Sequence, residues 1–481
     1  MKGEIMSEKT TGKRNSFSSS IGFVLAAAGS AVGLGNIWRF PYLAAKDGGG
    51  LFLVVYIILT LTFGFTMLVT EVSIGRKTKQ SALTAYGKLH KKSGWIGAIA
   101  TIVPFMILPY YCVIGGWVLK YCVAFCIGQG ELAADASYFT GFITGNYDPA
   151  VQPFGITNCE PILYTFIFLA VVAVVVFIGV NKGIEALSKV LMPILLLFVI
   201  AIAIFSLTVK GAEGRTGMDG LKIYLIPSFE GKSFSDVFTV ILDAMGQLFY
   251  SISVAMGIMV AYGSYFRDDS NLMKSVNRIE IFDTAVAFLA GIMIIPAVFA
   301  FLGEEGLQQA GPGLMFMALP KVFRAMGPVG NVVGAVFFIM VFFAALTSAI
   351  SILEAVVSSV MDKMHWERKK STVFEGIVAL ILGIIICLGY NIMYFECPLP
   401  GGKPGQLLDL FDYLSNNILM PVVAISTCIL VGWIIKPKTI IDEATKNGER
   451  FGRKALYIAM IKYIAPVLLF ALLLGSLGVI K

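Results

Sequence analysis

Long apolar blocks recur along this chain, and they restrict it to a fold that spans a membrane. Two examples are PILYTFIFLAVVAVVVFIGV at 161–180 and LYIAMIKYIAPVLLFALLLGSLGVI at 456–480. About 20 such residues cross the hydrocarbon core of a bilayer as a helix. With 57% hydrophobic and only 14% charged residues, the chain has too little charge to cover a soluble surface of this size. The sequence therefore predicts an all-α polytopic membrane protein.

Eleven spans are predicted, and the charges of the loops between them set the topology. The N-terminal tail and the loops after even-numbered spans, with the adjoining helix ends, hold 25 of the 37 Lys and Arg residues. By the positive-inside rule we expect a cytoplasmic N-terminus and an outside C-terminus, in the inner (plasma) membrane of the cell. A polar start followed by a long apolar segment argues against a cleaved signal peptide. The predicted spans are 18–46, 49–76, 95–126, 160–179, 187–209, 236–266, 275–302, 330–364, 372–390, 406–435 and 456–480.

The excess of positive charge is a topology signal, and it predicts no nucleic-acid partner. The seven cysteines follow no metal-ligand spacing, and both histidines, His90 and His365, fall in cytoplasmic loops. A metal centre built on histidine is therefore not expected. Cys159 and Cys397 fall in outside loops, where they are either free thiols or a pair.

Two predicted spans contain interruptions. Span 1 is interrupted by GSAVGLGN at 29–36, and span 6 by YSISVAMG at 250–257. These are the first members of two halves of five spans, which have opposite orientations. Matching breaks in inverted halves point to a transporter site at the bilayer midplane. We expect a cytoplasmic tail at 1–17, a first repeat at 18–209, a second repeat at 236–435 and an additional span at 456–481.

A break of this kind supplies binding groups from the backbone. Each backbone N–H or C=O that is freed within hydrocarbon costs several kcal/mol unless it finds a partner. Freed carbonyl oxygens suit a hard cation, and the N-terminal ends of half-helices suit a carboxylate. Tight helix packing is the alternative interpretation of the glycines in span 1. The polar cluster at one depth and the matching break in span 6 favour a binding site.

The residues around both breaks resemble those of the neurotransmitter:sodium symporters. The resemblance extends over essentially the whole chain, and eleven spans are similar to the shorter bacterial amino-acid transporters. It implies a five-plus-five inverted repeat with helices 1 and 6 unwound at the midplane, and sodium-coupled uptake by alternating access. The motifs that carry it are GSAVGLGNIWRFPY followed by DGGG, MLVTEVSIGR in span 2, PYYCVIGGW in span 3, GQLFYSIS and AYGSYF in span 6, and FFAALTSAIS in span 8.

The resemblance implies two sodium sites near the breaks. The first comprises the Ala31 carbonyl, the side chains of Asn36, Ser251 and Asp283, and the carboxylate of the substrate. Because the substrate completes this shell, each ligand should tighten binding of the other. The second comprises the carbonyls of Gly29, Val32 and Ala344 and the hydroxyls of Thr347 and Ser348. These two hydroxyls, taken alone, would more often be helix-packing groups. Their place in ALTSA, opposite the break in span 1, favours sodium ligands.

Asp283 departs from the animal transporters of this family, which have an asparagine there and chloride nearby. A charge inside an apolar span costs several kcal/mol and is functional by default. A fixed carboxylate beside sodium predicts transport that does not depend on chloride. The structural alternative is an aspartate whose side chain reaches the cytoplasmic face.

The substrate pocket implied by the resemblance suits a neutral, hydrophobic or aromatic L-amino acid. Backbone amides at 33–35 and the Tyr111 hydroxyl would bind its carboxylate, and Met256 gives an adaptable wall. Ala255 would make the pocket smaller, so a leucine-like and an aromatic substrate both stay open. The implied residues are Ser30, Ala31, Gly33, Leu34, Gly35, Ile107, Tyr111, Tyr250, Ser251, Ser253, Met256, Ser348 and Ile352.

Two charge pairs are predicted as gates, Arg39 with Asp412 outside and Arg14 with Asp362 inside. A pair near water contributes only about 0–1 kcal/mol, which suits a gate that must open. Arg14 alone could equally be an ordinary basic anchor on the cytoplasmic side. Two further carboxylates lie within spans. We expect Glu71 in span 2 to brace the unwound part of span 1. Glu354 in span 8 is either a hydrogen-bond partner of Tyr265 or a proton carrier.

The sequence thus favours a sodium symporter of neutral L-amino acids that functions in the bilayer, with a monomer sufficient for transport. A proton-coupled transporter of the same fold is the main alternative, with Asp283 or Glu354 titrating. An amino-acid-gated channel also fits breaks at the midplane, but charge pairs on both sides favour two gates. An enzyme is not expected, because no nucleophile–base motif, cofactor loop or metal cluster is present in the sequence.

Overall fold

Long apolar helices account for most of the chain. The computed structural model describes residues 16–145, 159–229, 233–400 and 404–479. Within these ranges, nine helices are long and apolar enough to cross a membrane. They are span 2 (Gly50–Thr78), span 3 (Lys91–Cys126), span 4 (Glu160–Ile178), span 5 (Val180–Thr208), span 7 (Leu272–Leu307), span 8 (Pro328–Met364), span 9 (Arg368–Leu388), span 10 (Leu407–Ile434) and span 11 (Lys454–Ser476).

The other two predicted spans are each divided into two helices. Span 1 consists of Ser20–Ala31 and Gly35–Lys46, which are bent by 53° at their junction. Span 6 consists of Phe234–Ser251 and Ile258–Ser264, with six residues between them. The predicted all-α polytopic fold is confirmed. The described residues contain nine continuous spans, or ten with the bent pair of span 1, which is consistent with the predicted count of eleven and with the predicted breaks.

Local backbone geometry produces both breaks. In span 1 the residue after Ala31 is Val32, whose ψ of 96° takes the chain out of the helix. In span 6 the residues Ser253, Ala255 and Gly257 have φ values of 54°, 61° and 71°. Non-glycine residues in this left-handed region are uncommon and are unfavourable by roughly 1 kcal/mol or more each. Surrounding contacts must therefore hold the turn in span 6.

Span 8 lies at the centre of the bundle and span 11 at its edge. In the most apolar stretch of span 8, 78% of the residues are buried, compared with 22% in span 11. The buried face of span 8 therefore lies against the breaks, and the exposed faces of spans 4, 5, 9 and 11 are available to lipid.

Span 7 was predicted to end at 302, and there Gly303 leaves helical geometry with a φ of 66°.

Short elements connect the spans. The helices outside the bundle are Ala82–Leu89, Gly130–Ala133, Ala136–Thr144, Gly217–Leu225, Gly311–Gly313, Leu319–Ala325 and Lys438–Ala444. A two-stranded antiparallel sheet pairs Cys397–Pro398 with Pro404–Gly405. All seven cysteines are free, so the possible pairing of Cys159 with Cys397 does not occur in this structure.

Candidate functional site

Three side chains from three spans meet beside the break in span 1. The Asn36 side-chain nitrogen donates to Ser251 Oγ at 3.0 Å and to Asp283 Oδ1 at 2.9 Å. The Ser251 hydroxyl donates to the same carboxylate at 2.8 Å. Asn36 and Asp283 have no exposed surface, so Asp283 does not extend to the cytoplasmic face. The structure thus brings together the three side chains predicted for the first sodium site, and the fourth residue, Ala31, lines the adjoining cavity.

The oxygen atoms of this cluster are suitable ligands for a cation. The Asn36 amide nitrogen now occupies the position that faces the carboxylate, while its oxygen accepts from the Gly33 N–H at 3.2 Å. Rotation of the Asn36 side-chain amide by half a turn would present that oxygen to an ion instead. With the Ser251 hydroxyl and the Asp283 carboxylate, the ligands are the hard oxygens that alkali and alkaline-earth cations prefer.

A second group of oxygens lies between span 1 and span 8. The Ser348 hydroxyl is 3.4 Å from the Gly29 carbonyl, 3.1 Å from the Ser30 carbonyl and 3.4 Å from the Val32 carbonyl. Thr347 Oγ1 donates within its own helix, to the Ala344 carbonyl at 3.2 Å. The five residues predicted for the second sodium site are therefore neighbours.

A buried cavity separates these two groups, and nearly all of the predicted substrate-binding residues line it. Leu34 is the exception, since its side chain is buried but does not reach the cavity. Asn36 lines the cavity as well. The lining residues are Ser30, Ala31, Gly33, Gly35, Asn36, Ile107, Tyr111, Tyr250, Ser251, Ser253, Met256, Ser348 and Ile352.

Glycines let side chains approach the backbone at this cavity. A Cβ added to Gly33 would lie 2.8 Å from Ser348 Oγ and 3.2 Å from the Tyr111 hydroxyl oxygen. A Cβ at Gly35 would lie 3.0 Å from the Tyr250 ring. The Tyr111 hydroxyl is buried, and no well-formed hydrogen bond to it is found among the described residues. An unsatisfied donor beside backbone amides fits a ligand carboxylate.

The two breaks are also joined directly. The Ser30 hydroxyl donates to Ser253 Oγ at 3.0 Å, and the Ser253 hydroxyl lies 3.0 Å from the Ser30 carbonyl. Ser253 is one of the left-handed residues of span 6, so this contact fixes the turn against span 1.

Glu71 braces span 6, which corrects the prediction that it braces span 1. Its Oε1 accepts from the Ala255 N–H at 2.6 Å. Ala255 lies in the left-handed turn, where the backbone N–H has left the helix and needs an acceptor. A carboxylate is a strong acceptor for such a donor. Glu71 therefore stabilises the break in span 6.

The predicted outer pair is not closed in this structure. Asp412 accepts from the Tyr110 hydroxyl at 3.1 Å and from the Asn416 amide at 2.6 Å. In the part of the chain that the structure describes, no ion pair joins Arg39 to Asp412. Arg39 instead lines a second cavity of about 340 Å³, next to the buried cavity described above.

In the predicted inner pair, Arg14 lies outside the described residues. Asp362 accepts from the backbone N–H and the hydroxyl of Ser81, both at 2.6 Å.

A further carboxylate, which the sequence analysis did not single out, is Glu185 in span 5. It is buried and accepts from the Ser18 N–H at 2.7 Å. The signal available for it was a glutamate beside a long apolar run. This bond fixes the start of span 1 to span 5.

Glu354 forms the hydrogen bond that was one of its two predicted roles. The Tyr265 hydroxyl donates to Glu354 Oε1 at 2.6 Å, and Arg368 binds its other oxygen at 2.5 Å. Glu354 is fully buried, and the Arg368 side chain is 14% exposed. The carboxylate is therefore held in a paired, ionic arrangement between spans 6, 8 and 9.

A charged cluster holds the loop that follows span 6. Lys446 Nζ lies 2.5 Å and Lys79 Nζ 3.2 Å from Asp268 Oδ1. Partial burial acts to raise the pKa of Asp268, but the hydrogen bond from Lys446 and the charge of Lys79 outweigh it and hold that pKa below its usual value. The loop is thus fixed to the C-terminal end of span 2 and to the segment between spans 10 and 11.

Comparisons with known proteins agree with this architecture. The sequence profile of the sodium:neurotransmitter symporter family matches residues 14–135 and 150–481. An uncharacterized sodium-dependent transporter, YhdH, of Bacillus subtilis (strain 168) is 34% identical over 470 residues, covering 97% of this chain and 98% of that protein. The sodium- and chloride-dependent taurine transporter of Rattus norvegicus is 28% identical over 473 residues, covering 89% and 73% of the two chains.

A solved structure is similar along its whole length. The crystal structure of MhsT in complex with L-phenylalanine matches with a TM-score of 0.81 and 34% sequence identity. The match covers 96% of this chain and 100% of that chain.

Proposed function

Since this chain belongs to the sodium:neurotransmitter symporter family, it is a multi-pass membrane transporter and not an enzyme, and we propose that it couples sodium entry to uptake of a neutral L-amino acid. The observation that carries the proposal is the cluster of Asn36, Ser251 and Asp283 at the edge of the substrate cavity. A cation there is adjacent to the space where a substrate carboxylate would lie.

Coupling follows from a shared ligand. The cavity presents the unsatisfied Tyr111 hydroxyl and the backbone of Gly33 and Gly35 on the side of Asn36. A carboxylate bound there contributes an oxygen to a sodium ion held by Asn36 and Asp283. Each ligand then lowers the free energy of binding the other, and this reciprocal effect makes uptake depend on sodium.

We propose a hydrophobic or aromatic side chain for the substrate. Ile107, Met256 and Ile352 supply apolar walls, and no lysine, arginine or carboxylate lines the cavity among the described residues. A charged side chain would lose its hydration there without gaining a partner. The MhsT structure contains L-phenylalanine, which supports an amino acid of this class as the ligand here.

We further propose that transport does not require chloride. Asp283 places a fixed negative charge within 2.9 Å of Asn36, inside the cluster that would hold the sodium ion. The carboxylate supplies locally the charge that a bound anion would otherwise bring. The proposal also includes the predicted orientation, with the N-terminus in the cytoplasm. It places the two repeats at 18–209 and 236–435 and takes the monomer as the transporting unit.

Binding of an amino-acid panel to purified protein tests this function. Neutral hydrophobic, aromatic, small polar, acidic and basic L-amino acids are each titrated in sodium chloride, sodium gluconate and potassium chloride. We expect binding of hydrophobic or aromatic members in both sodium salts and none in potassium. Equal binding in sodium and potassium would favour the proton-coupled alternative, and its pH dependence is then measured. Binding in sodium chloride alone would overturn chloride independence.

A further inference from the structure

A long apolar groove runs between span 4 and span 9 on the surface that faces lipid. Its floor contains the small residues Ala170, Ala173 and Gly376, which leave a channel between bulkier neighbours. Several wall residues are half exposed, including Val174 at 58% and Ile377 at 54%. The walls are formed by Phe166, Leu169, Val174, Phe177, Val373, Ile377 and Leu380, with Thr372 at one end.

One end of the groove opens among positive charges. Lys369 Nζ lies 5.4 Å from the centre of the Phe177 ring, and Lys370 Nζ lies 4.0 Å from the centre of the Trp366 ring. Neither lysine is within ion-pair distance of a carboxylate in the described ranges, and both are exposed. The neighbouring Arg368 forms an ion pair with Glu354. The acidic residue nearest to these lysines in sequence is Glu367.

The length of the groove matches one leaflet. From Phe166 to Phe177 the helix advances about 16 Å at 1.5 Å per residue. Half of a hydrocarbon core of about 30 Å is about 15 Å. The groove therefore extends from the lysines to about the bilayer midplane, and Trp366 beside the lysines is typical of a membrane interface.

We infer that this groove is a binding site for an anionic phospholipid. One acyl chain lies over Ala173 and Gly376, and the phosphate group lies by Lys369 and Lys370. Ammonium groups at the mouth that have no carboxylate partner among the described residues select an anionic headgroup over a zwitterionic one. With the topology proposed above, the lipid belongs to the cytoplasmic leaflet, but the binding itself does not depend on the transport proposal.

Native mass spectrometry of the full-length protein tests the site. Protein stripped of lipid is titrated with phosphatidylglycerol or phosphatidylcholine of identical acyl chains, and bound lipids are counted. We expect at least one phosphatidylglycerol to bind tightly to the wild type. Lys369→Gln with Lys370→Gln should weaken it about fivefold per charge removed. Gly376→Leu, which fills the groove where a Cβ meets only Ala173 at 4.0 Å, should remove it.

Two matched variants serve as controls. Lys274→Gln removes an exposed lysine from the predicted cytoplasmic end of span 7, and Ala201→Leu enlarges an exposed residue of span 5 outside the groove. Both should bind phosphatidylglycerol like the wild type. Equal binding of the two lipids, or unchanged preference in the groove variants, would overturn the proposal. It is also overturned if the groove variants change only the monomer–dimer balance, which would identify an interface between copies. Amino-acid binding, measured in parallel, should stay intact.

Discussion

The side-chain nitrogen of Asn36 lies 2.9 Å from the carboxylate of Asp283, although 247 positions separate the two residues in the chain. The contact joins the break in span 1 to the first half of span 7, and both side chains are fully buried. Two helices of different halves of the protein thus share one polar centre. Changes at either residue should affect the ion and the substrate together.

Asn36→Ala should strongly weaken sodium-dependent amino-acid binding. It removes an amide oxygen from the ion shell and leaves Asp283 with one hydrogen-bond donor fewer. Hydrogen bonds to charged groups contribute about 1.5–3 kcal/mol, so apparent sodium affinity should fall at least about tenfold. Titration of sodium at fixed amino acid measures this. Asn331→Ala, which removes an amide bonded to Gly130 N–H at 3.1 Å far from the site, is the control. Normal sodium affinity in Asn36→Ala would rule out the first-site assignment.

Asp283→Asn should depress transport in chloride-free medium, and chloride should restore part of it. The substitution keeps the size of the side chain and removes its charge, so a mobile anion becomes the source of negative charge beside sodium. Uptake into proteoliposomes in chloride and in gluconate gives the comparison. The wild type, run in both salts, is the control and should not respond to chloride. Unchanged transport that ignores chloride would assign the carboxylate another role.

Ser348→Ala should weaken sodium binding while leaving the substrate cavity nearly intact. The hydroxyl contacts three carbonyls of span 1, and a neutral hydrogen bond contributes about 1 kcal/mol, so about a fivefold loss in apparent sodium affinity is expected. Ser358→Ala, in the same helix, removes a hydroxyl whose one hydrogen bond among the described residues is to the Ala355 carbonyl at 3.2 Å, and it should show no loss. Equal behaviour of the two variants would contradict a second ion site.

Glu354→Gln should destabilise the protein without changing the pH dependence of transport. Removing one member of a buried ion pair costs about 3–5 kcal/mol, because the Arg368 charge is left without its partner. Thermal unfolding in detergent measures the loss, and Glu354→Gln combined with Arg368→Gln should recover part of it. A changed pH profile of uptake would instead identify Glu354 as a proton carrier.

Much of the fold follows from residue type along the chain. Runs of about 20 apolar residues define the continuous spans, and clusters of glycine, serine and asparagine within a span mark the breaks. Span 7, predicted to end at 302, continues to Leu307 with a kink at Gly303. The identity of the oxygens near the breaks came from the resemblance, because no rule of periodicity places Asp283 opposite Asn36.

Partners across the bundle were harder to predict. Glu71 was expected at span 1, but the N–H that most needs an acceptor belongs to Ala255, whose left-handed φ is a property of the folded turn. Arg39 and Asp412 have opposite charges on the same side, yet nearby hydroxyl and amide groups satisfy Asp412. Glu185 binds Ser18 across 167 positions, a contact that no local pattern contains.

Ser348 and the carbonyls it contacts belong to two different helices, whereas Asn36, Ser251 and Asp283 are tied to one another by their own hydrogen bonds. An ion bound among the second group of oxygens would link span 1 to span 8. When the ion leaves, only weak polar contacts would remain between these two helices. Release of the ion would then loosen the first half of span 1 in the same step as release of the substrate.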